Sequence, residues 1–171
     1  MRIAVTDACI FIDLIELDLI SEFFQLDIEL HTTVEVINEL FPEQKQVLGA
    51  YQAVNKLVVH NFQEGDFARM EEISFPRGLS SEDRSVIFMA MNLKNAIVLS
   101  SDRLVRKFAE SCSLEYHGIF WIFDLLISEE CLSKAQAIVS LQKLVTINGM
   151  YSGDKMKKEI QNRIRQWDKI V

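Results

Sequence analysis

MRIAVTDACIFIDL, residues 1–14, opens the chain, and its seventh residue poses the question on which the fold turns. The strand-forming run Ile3-Ala4-Val5 ends on a carboxylate, Asp7, and an apolar stretch with helical character follows. An acid in that place has two readings. It caps the next helix with its side-chain oxygen, or it is one of several acids that the fold gathers around a metal ion.

Along the rest of the chain, strands alternate with helices. Residues 2–6 read as a strand, 9–25 as one or two helices broken near Asp18, 28–33 as a strand, and 34–41 as a helix ended by Pro42. A helix over 44–55, a strand near 57–62 and a helix near 64–73 follow, up to a break at Phe75-Pro76-Arg77-Gly78. Beyond it come a helix over 81–93, the short buried strand Ala96-Ile97-Val98-Leu99, a helix over 102–112 and a last strand over 114–117. Residues 119–171 read as helices. This alternation predicts an α/β protein with a mostly parallel central sheet covered on both faces.

The chain has 171 residues, 49% of them hydrophobic, which suits one compact domain with a real core. No apolar run approaches the roughly 18 residues of a membrane span, and the first segment lacks the pattern of a signal peptide. Cys9, Cys112 and Cys131 are odd in number and form no C-x-x-C pair, so neither a disulfide framework nor a zinc site is expected, and a reducing cytoplasm fits. The net charge of −7 is uneven: residues 1–43 hold ten acids against Arg2 alone, which leaves the remainder at +2. That balance counts against a tight DNA binder, and less against an enzyme that grips an acidic substrate through a metal and a local basic patch.

In open α/β sheets, ligands collect beyond the carboxyl ends of the strands. Asp7 lies at such an end, and Asp102 lies three residues past the strand 96–99. Glu39 in HTTVEVINEL and Asp83 in LSSEDRSVIFMA sit on helices that begin near strand ends. Each has a plain alternative. Asp83 completes the capping box Ser80-x-x-Asp83, Glu39 follows Glu35 on what could be a solvated face, and Asp7 and Asp102 could each cap a helix. One shared site explains all four more economically than four separate accidents. A Walker loop, a dinucleotide glycine fingerprint and a nucleophile elbow are absent. A dehalogenase-type phosphotransferase would need an acid where Cys9 stands, and a receiver domain would need paired acids near the start.

VTDACIFIDL, TTVEVINEL, LSSEDRSVIFMA and IVLSSDRLVRKFAE, in this order, resemble the PIN domain, the family that includes VapC-type toxins of bacterial toxin–antitoxin pairs. The resemblance covers roughly residues 2–125. It implies a three-layer α/β/α nuclease fold whose acidic pocket, made by Asp7, Glu39, Asp83 and Asp102, binds Mg²⁺ or Mn²⁺, with Ser100 in a supporting place near the last acid. Glu82, beside Asp83, leaves the third acid open by one position. An RNA substrate, hydrolysis of its phosphodiester bonds, an antitoxin partner and a homodimer are the matching functional expectations, with a catalytically silent PIN-fold binding module as the alternative.

The chemistry of that reading is coherent. Oxygen-only ligands suit Mg²⁺ and Mn²⁺, whereas zinc prefers His and Cys; His31, His60 and His117 show no ligand spacing. Four acids drawn together without a metal would repel one another and raise at least one pKa. Arg103, Arg106 and Lys107, within about a turn of each other, are candidate substrate-binding residues, with a solvated charged face as the plain alternative.

Residues 126–171 extend past a minimal PIN domain and are expected to form a helical extension packed on the domain of residues 1–125. In their tail, Met156, Ile160, Ile164, Trp167 and Val171 recur at spacings of three or four and define one apolar stripe. The stripe either packs on the protein's own core or helps form a contact with a second copy or an antitoxin.

Overall fold

A computed structural model describes residues 2–169. Its five strands are β1 (Arg2–Thr6), β2 (Ile28–Thr33), β3 (Leu57–His60), β4 (Ala96–Leu99) and β5 (Glu115–His117), joined in one sheet of order β3-β2-β1-β4-β5. Every neighbouring pair is parallel, with Val5 opposite both His31 and Val98. The first strand therefore lies in the middle and pairs on both edges, which is why Ala4 and Val5 are fully buried. All four residues of β4 are buried as well, as an interior parallel strand requires. Helices flank the sheet in a three-layer α/β/α arrangement.

The helices are α1 (Ala8–Glu16), α2 (Ile20–Phe23), α3 (Val34–Glu39), α4 (Pro42–Ala53), α5 (Glu64–Glu71), α6 (Ser81–Asn92), α7 (Arg103–Ser111), α8 (Ile119–Ser128), α9 (Lys134–Ile147) and α10 (Asp154–Trp167), with a 3₁₀ turn at Gly149–Tyr151. Asp18 adopts φ 58, a left-handed conformation that Asp tolerates better than most residues, and it separates α1 from α2. Pro42 plays a different part from the one expected. Leu40 is already extended (φ −78, ψ 153), so α3 stops at Glu39, and Pro42 opens α4, where a missing N–H goes unnoticed.

The residues sort into two compact units. One is built from the chain up to Ile12 together with Asp27–Ile119, and the other from Asp13–Leu26 together with the chain from Phe120 onward. In the first unit α6 packs on β1, β2 and β4, through a helix whose Val86, Ile87 and Ala90 are fully buried. In the second, Asn148 Nδ2 donates to Asp13 at 2.9 Å and the Tyr151 hydroxyl at 3.4 Å. Burial raises the Asp13 carboxyl, and these two donors counter the shift.

The tail belongs to that second unit. Ile160 and Trp167 are buried, Met156 and Ile164 are half-buried, and Lys155, Lys157, Lys158, Arg165 and Lys169 are exposed. Trp167 Nε1 donates to Asp124 at 2.7 Å, its ring lies 6.2 Å from that of Phe123, and Arg163 bridges Asp124 and Glu159. The stripe faces the unit's own core; Val171, its last member, lies outside the described residues.

Candidate functional site

Asp7 follows β1 directly, and its backbone N–H donates to the Leu99 carbonyl at 3.1 Å, so the end of β1 is tied to the end of β4. Its side chain is only 5% exposed. Oδ1 accepts from Ile10 N–H at 3.2 Å and from the Cys9 thiol at 2.9 Å. Asp7 is thus a helix cap, as the plainer reading held, and a buried carboxyl as well. Burial pushes its pKa up from 3.8 to about 6; hydrogen bonds from Cys9, Ser100 and Ile10 pull it down, and the Asp83 charge pushes it further up.

Ser100 joins two of the acids. It is fully buried, it hydrogen-bonds Asp7, and its Oγ accepts from the Asp102 backbone N–H at 3.1 Å. Asp102, exposed, caps α7: its Oδ1 takes the N–H groups of Leu104 at 2.7 Å and Val105 at 3.0 Å. One carboxylate oxygen is thereby committed to the helix.

Asp83 forms the expected capping box with Ser80, with contacts of 3.0 and 3.1 Å. Its charge also reaches two other acids, since it raises Asp7 and contributes to raising Glu39. Glu39, at the last position of α3, is pushed up first by partial burial of its carboxyl, then by the charges of Glu82 and Asp83. Glu82 itself is held below the usual range, first by its own backbone N–H. Of the two neighbours, Asp83 alone is coupled to both Asp7 and Glu39. The structure therefore links Asp7 with Asp83, Asp83 with Glu39, and Asp7 with Asp102 through Ser100.

Among the described residues, no group of three or more His, Cys, Asp or Glu side chains stands close enough to form a ready metal cage. The donor chemistry nonetheless fits a hard divalent cation. The acids offer oxygen, Asp7 is a buried carboxyl that resists ionising alone, and Mg²⁺ is commonly held by one or two carboxylates with water completing the shell.

In sequence Cys9 is one of three unpaired-looking cysteines and stands where a dehalogenase-type phosphotransferase would need an acid; no structural role is signalled. In the structure it accepts the Ser101 N–H at 3.3 Å while its thiol donates to Asp7, so it fastens the loop after β4 to the end of β1. Nothing in its spacing signals this, because the partner is 92 residues away. Two histidines without ligand spacing in the sequence also meet. His31 Nδ1 and His60 Nε2 are 2.7 Å apart, and His31 Nε2 lies 2.8 Å from Glu29. The parallel register between β2 and β3 brings them together. Arg103 and Lys107 are exposed, while Arg106 is half-buried with its guanidinium 5.4 Å from the Tyr116 ring centroid.

An all-parallel α/β/α fold with linked acids beyond the strand ends is compatible with a nuclease-type domain, and the comparison with known families gives that class. A family model described as a PIN domain (DUF3368) matches residues 3–166, so the chain belongs to the PIN-domain family. No curated protein matches it. Members of this family are generally nucleases, and they typically use divalent metals. Among the described residues, no helix is long and apolar enough to cross a membrane.

Proposed function

We propose that the protein is a metal-dependent endoribonuclease that hydrolyses RNA phosphodiester bonds in the cytoplasm, as the toxin of a type II toxin–antitoxin pair. The observation that supports it most is Asp7: a carboxyl buried at the end of the central strand, raised to about 6, and exposed to the charge of Asp83. Retaining an acid there is costly for stability alone.

Asp7 and Asp102 would be central to holding Mg²⁺ or Mn²⁺, with Glu39 and Asp83 completing the site directly or through water. A bound divalent cation supplies a nucleophile at neutral pH and neutralises charge on the scissile phosphate. Ser100 positions Asp7 and the Asp102 loop together. Arg103 and Lys107 attract the RNA backbone without reading its sequence. The products carry 5′-phosphate and 3′-hydroxyl ends.

Cleavage of an RNA panel with Mg²⁺ or Mn²⁺, and its loss in EDTA, tests the activity; equal activity in EDTA would sink the reading. Growth arrest on expression, relieved by Asp7→Asn and by a short adjacent reading frame, tests the toxin role. A second reading has its own support: with no ready cage among the described residues, the fold could serve as a silent binding module. Metal-independent RNA binding without any cleavage would favour that alternative. The expected homodimer is checked by mass in solution.

A further inference from the structure

A pocket of about 570 Å³ is lined from α3, α5, α6 and the segment 73–75, and two of these helices, α3 and α6, also carry Glu39 and Asp83. That volume is in the range of small-ligand sites. Two of its lining side chains, Glu35 and Arg84, have opposite charge. Among the described residues neither makes a hydrogen bond or ion pair with the other. One Glu35 carboxylate oxygen and Arg84 Nε are sealed from solvent without a hydrogen-bond partner. Buried polar atoms are seldom left in that state, because lost hydration then goes uncompensated. A carboxylate and a guanidinium in one wall, each with a polar atom in want of a hydrogen bond, are groups for a ligand to engage.

The rest of the wall narrows the ligand class. The Arg84 guanidinium lies 5.7 Å from the Phe75 ring centroid, and Phe67 joins the lining. Aromatic rings and guanidinium planes are the surfaces on which unpaired RNA bases stack while side chains hydrogen-bond their edges. The pocket also shares its helices with the acids. Glu35 is one turn before Glu39 on α3, about 6 Å along the axis, and Arg84 directly follows Asp83 on α6.

We propose that this pocket takes an unpaired base of the RNA and selects guanine; the proposal rests on the nuclease reading for the identity of the polymer. Guanine is the base with two adjacent donors, N1–H and N2–H, which match the two acceptor oxygens of the Glu35 carboxylate. Its O6 and N7 are acceptors of the kind an arginine meets. Adenine and cytosine set a ring-nitrogen lone pair beside a single amino group, and uracil sets carbonyls on both sides of its one N–H, so each turns an acceptor toward the carboxylate.

The test is fluorescence anisotropy in EDTA, where no cleavage occurs, with labelled uridine pentanucleotides bearing G, A, C or U at the centre. The G oligonucleotide is expected to bind at least about tenfold more tightly than the others. Glu35→Gln, whose fold is checked by melting temperature, should bring all four within about twofold of one another. Equal binding of the four by the wild type, no binding of any, or a guanine preference that survives in Glu35→Gln would overturn the proposal. Selective binding without cleavage when Mn²⁺ is added would remove the nuclease reading and leave the pocket standing. Cleavage with no guanine preference would do the opposite.

Discussion

Asp83 and Asp7 stand on different elements, the first turn of α6 and the end of β1, yet the charge of one raises the carboxyl of the other. Asp83 also bears on Glu39, at the end of α3. Three acids separated by up to 76 positions in the chain are thus coupled electrostatically, which is the condition under which a divalent cation is most useful.

The first prediction concerns pH. Asp7 has a folded pKa of about 6 against an ordinary 3.8, so the folded state holds its proton more tightly than the unfolded one. Its protonated form favours folding, and that advantage is full below about 3.8 and lost as pH rises through about 6. In chelator, Asp7→Asn should therefore be more stable than wild type above pH about 6, by at most about 3 kcal/mol. The gain should shrink toward zero at pH about 3.8. Chemical denaturation at several pH values checks this. A loss of stability at neutral pH would mean that capping α1 is the main role of Asp7.

A second prediction separates Asp83 from Glu82. Because Asp83 alone is coupled to both Asp7 and Glu39, Asp83→Asn should lower the Asp7 pKa measured by NMR, whereas Glu82→Gln should leave it in place. Mn²⁺ should raise the melting temperature of the wild type, and less so that of Asp83→Asn, since a ligand stabilises only the state that binds it. Should Glu82→Gln abolish the Mn²⁺ increment while Asp83→Asn keeps it, the third acid would be Glu82.

At Asp102, charge and capping can be pulled apart. Its Oδ1 takes two N–H groups of α7, and an asparagine oxygen can take them as well. Asp102→Asn should keep nearly all stability and cut RNA cleavage by orders of magnitude. Asp102→Ala should lose the activity and also about 1 kcal/mol of stability. Thermal melts and single-turnover cleavage assays check the pair; unchanged cleavage in Asp102→Asn would leave it a cap and nothing more.

Much of this was legible in the sequence for a physical reason. β4 coincides with its apolar run and β1 extends its own by one residue at each end, because buried parallel strands are continuous apolar segments, whereas β2, Ile-Glu-Leu-His-Thr-Thr, has no such run and was legible from its β-branched residues ahead of a helix. The capping box at Ser80 and Asp83 was readable because its partners are three residues apart. What stayed hidden depends on contacts distant in sequence. The Cys9 bond to Ser101, the pairing of His31 with His60, and the Glu35 and Arg84 wall arise only once the parallel register and helix packing are set. The role of Pro42 was misread because proline stops one helix and starts another with the same missing N–H.

The last prediction concerns α10. Trp167 is 1% exposed, and its Nε1–H meets Asp124, which Arg163 also engages. Deleting the chain after Gly153 would strip this apolar cover from Phe123 and leave the Asp124 carboxylate without either donor. Truncation should therefore give an insoluble or unfolded protein. Trp167→Phe, which keeps most of the ring but not the N–H, should cost about 1 to 3 kcal/mol, through the unsatisfied acceptor and the smaller ring. The exposed lysines tell the other half: changing Lys155, Lys157 and Lys158 to Gln should leave stability within about 0.5 kcal/mol. If those three lysines touch an acidic partner or RNA, binding measured at low salt should weaken in the triple variant, and the difference should fade as salt rises. A soluble, folded truncation with unchanged mass, partner binding and cleavage would show that the buried stripe contributes to neither folding nor assembly.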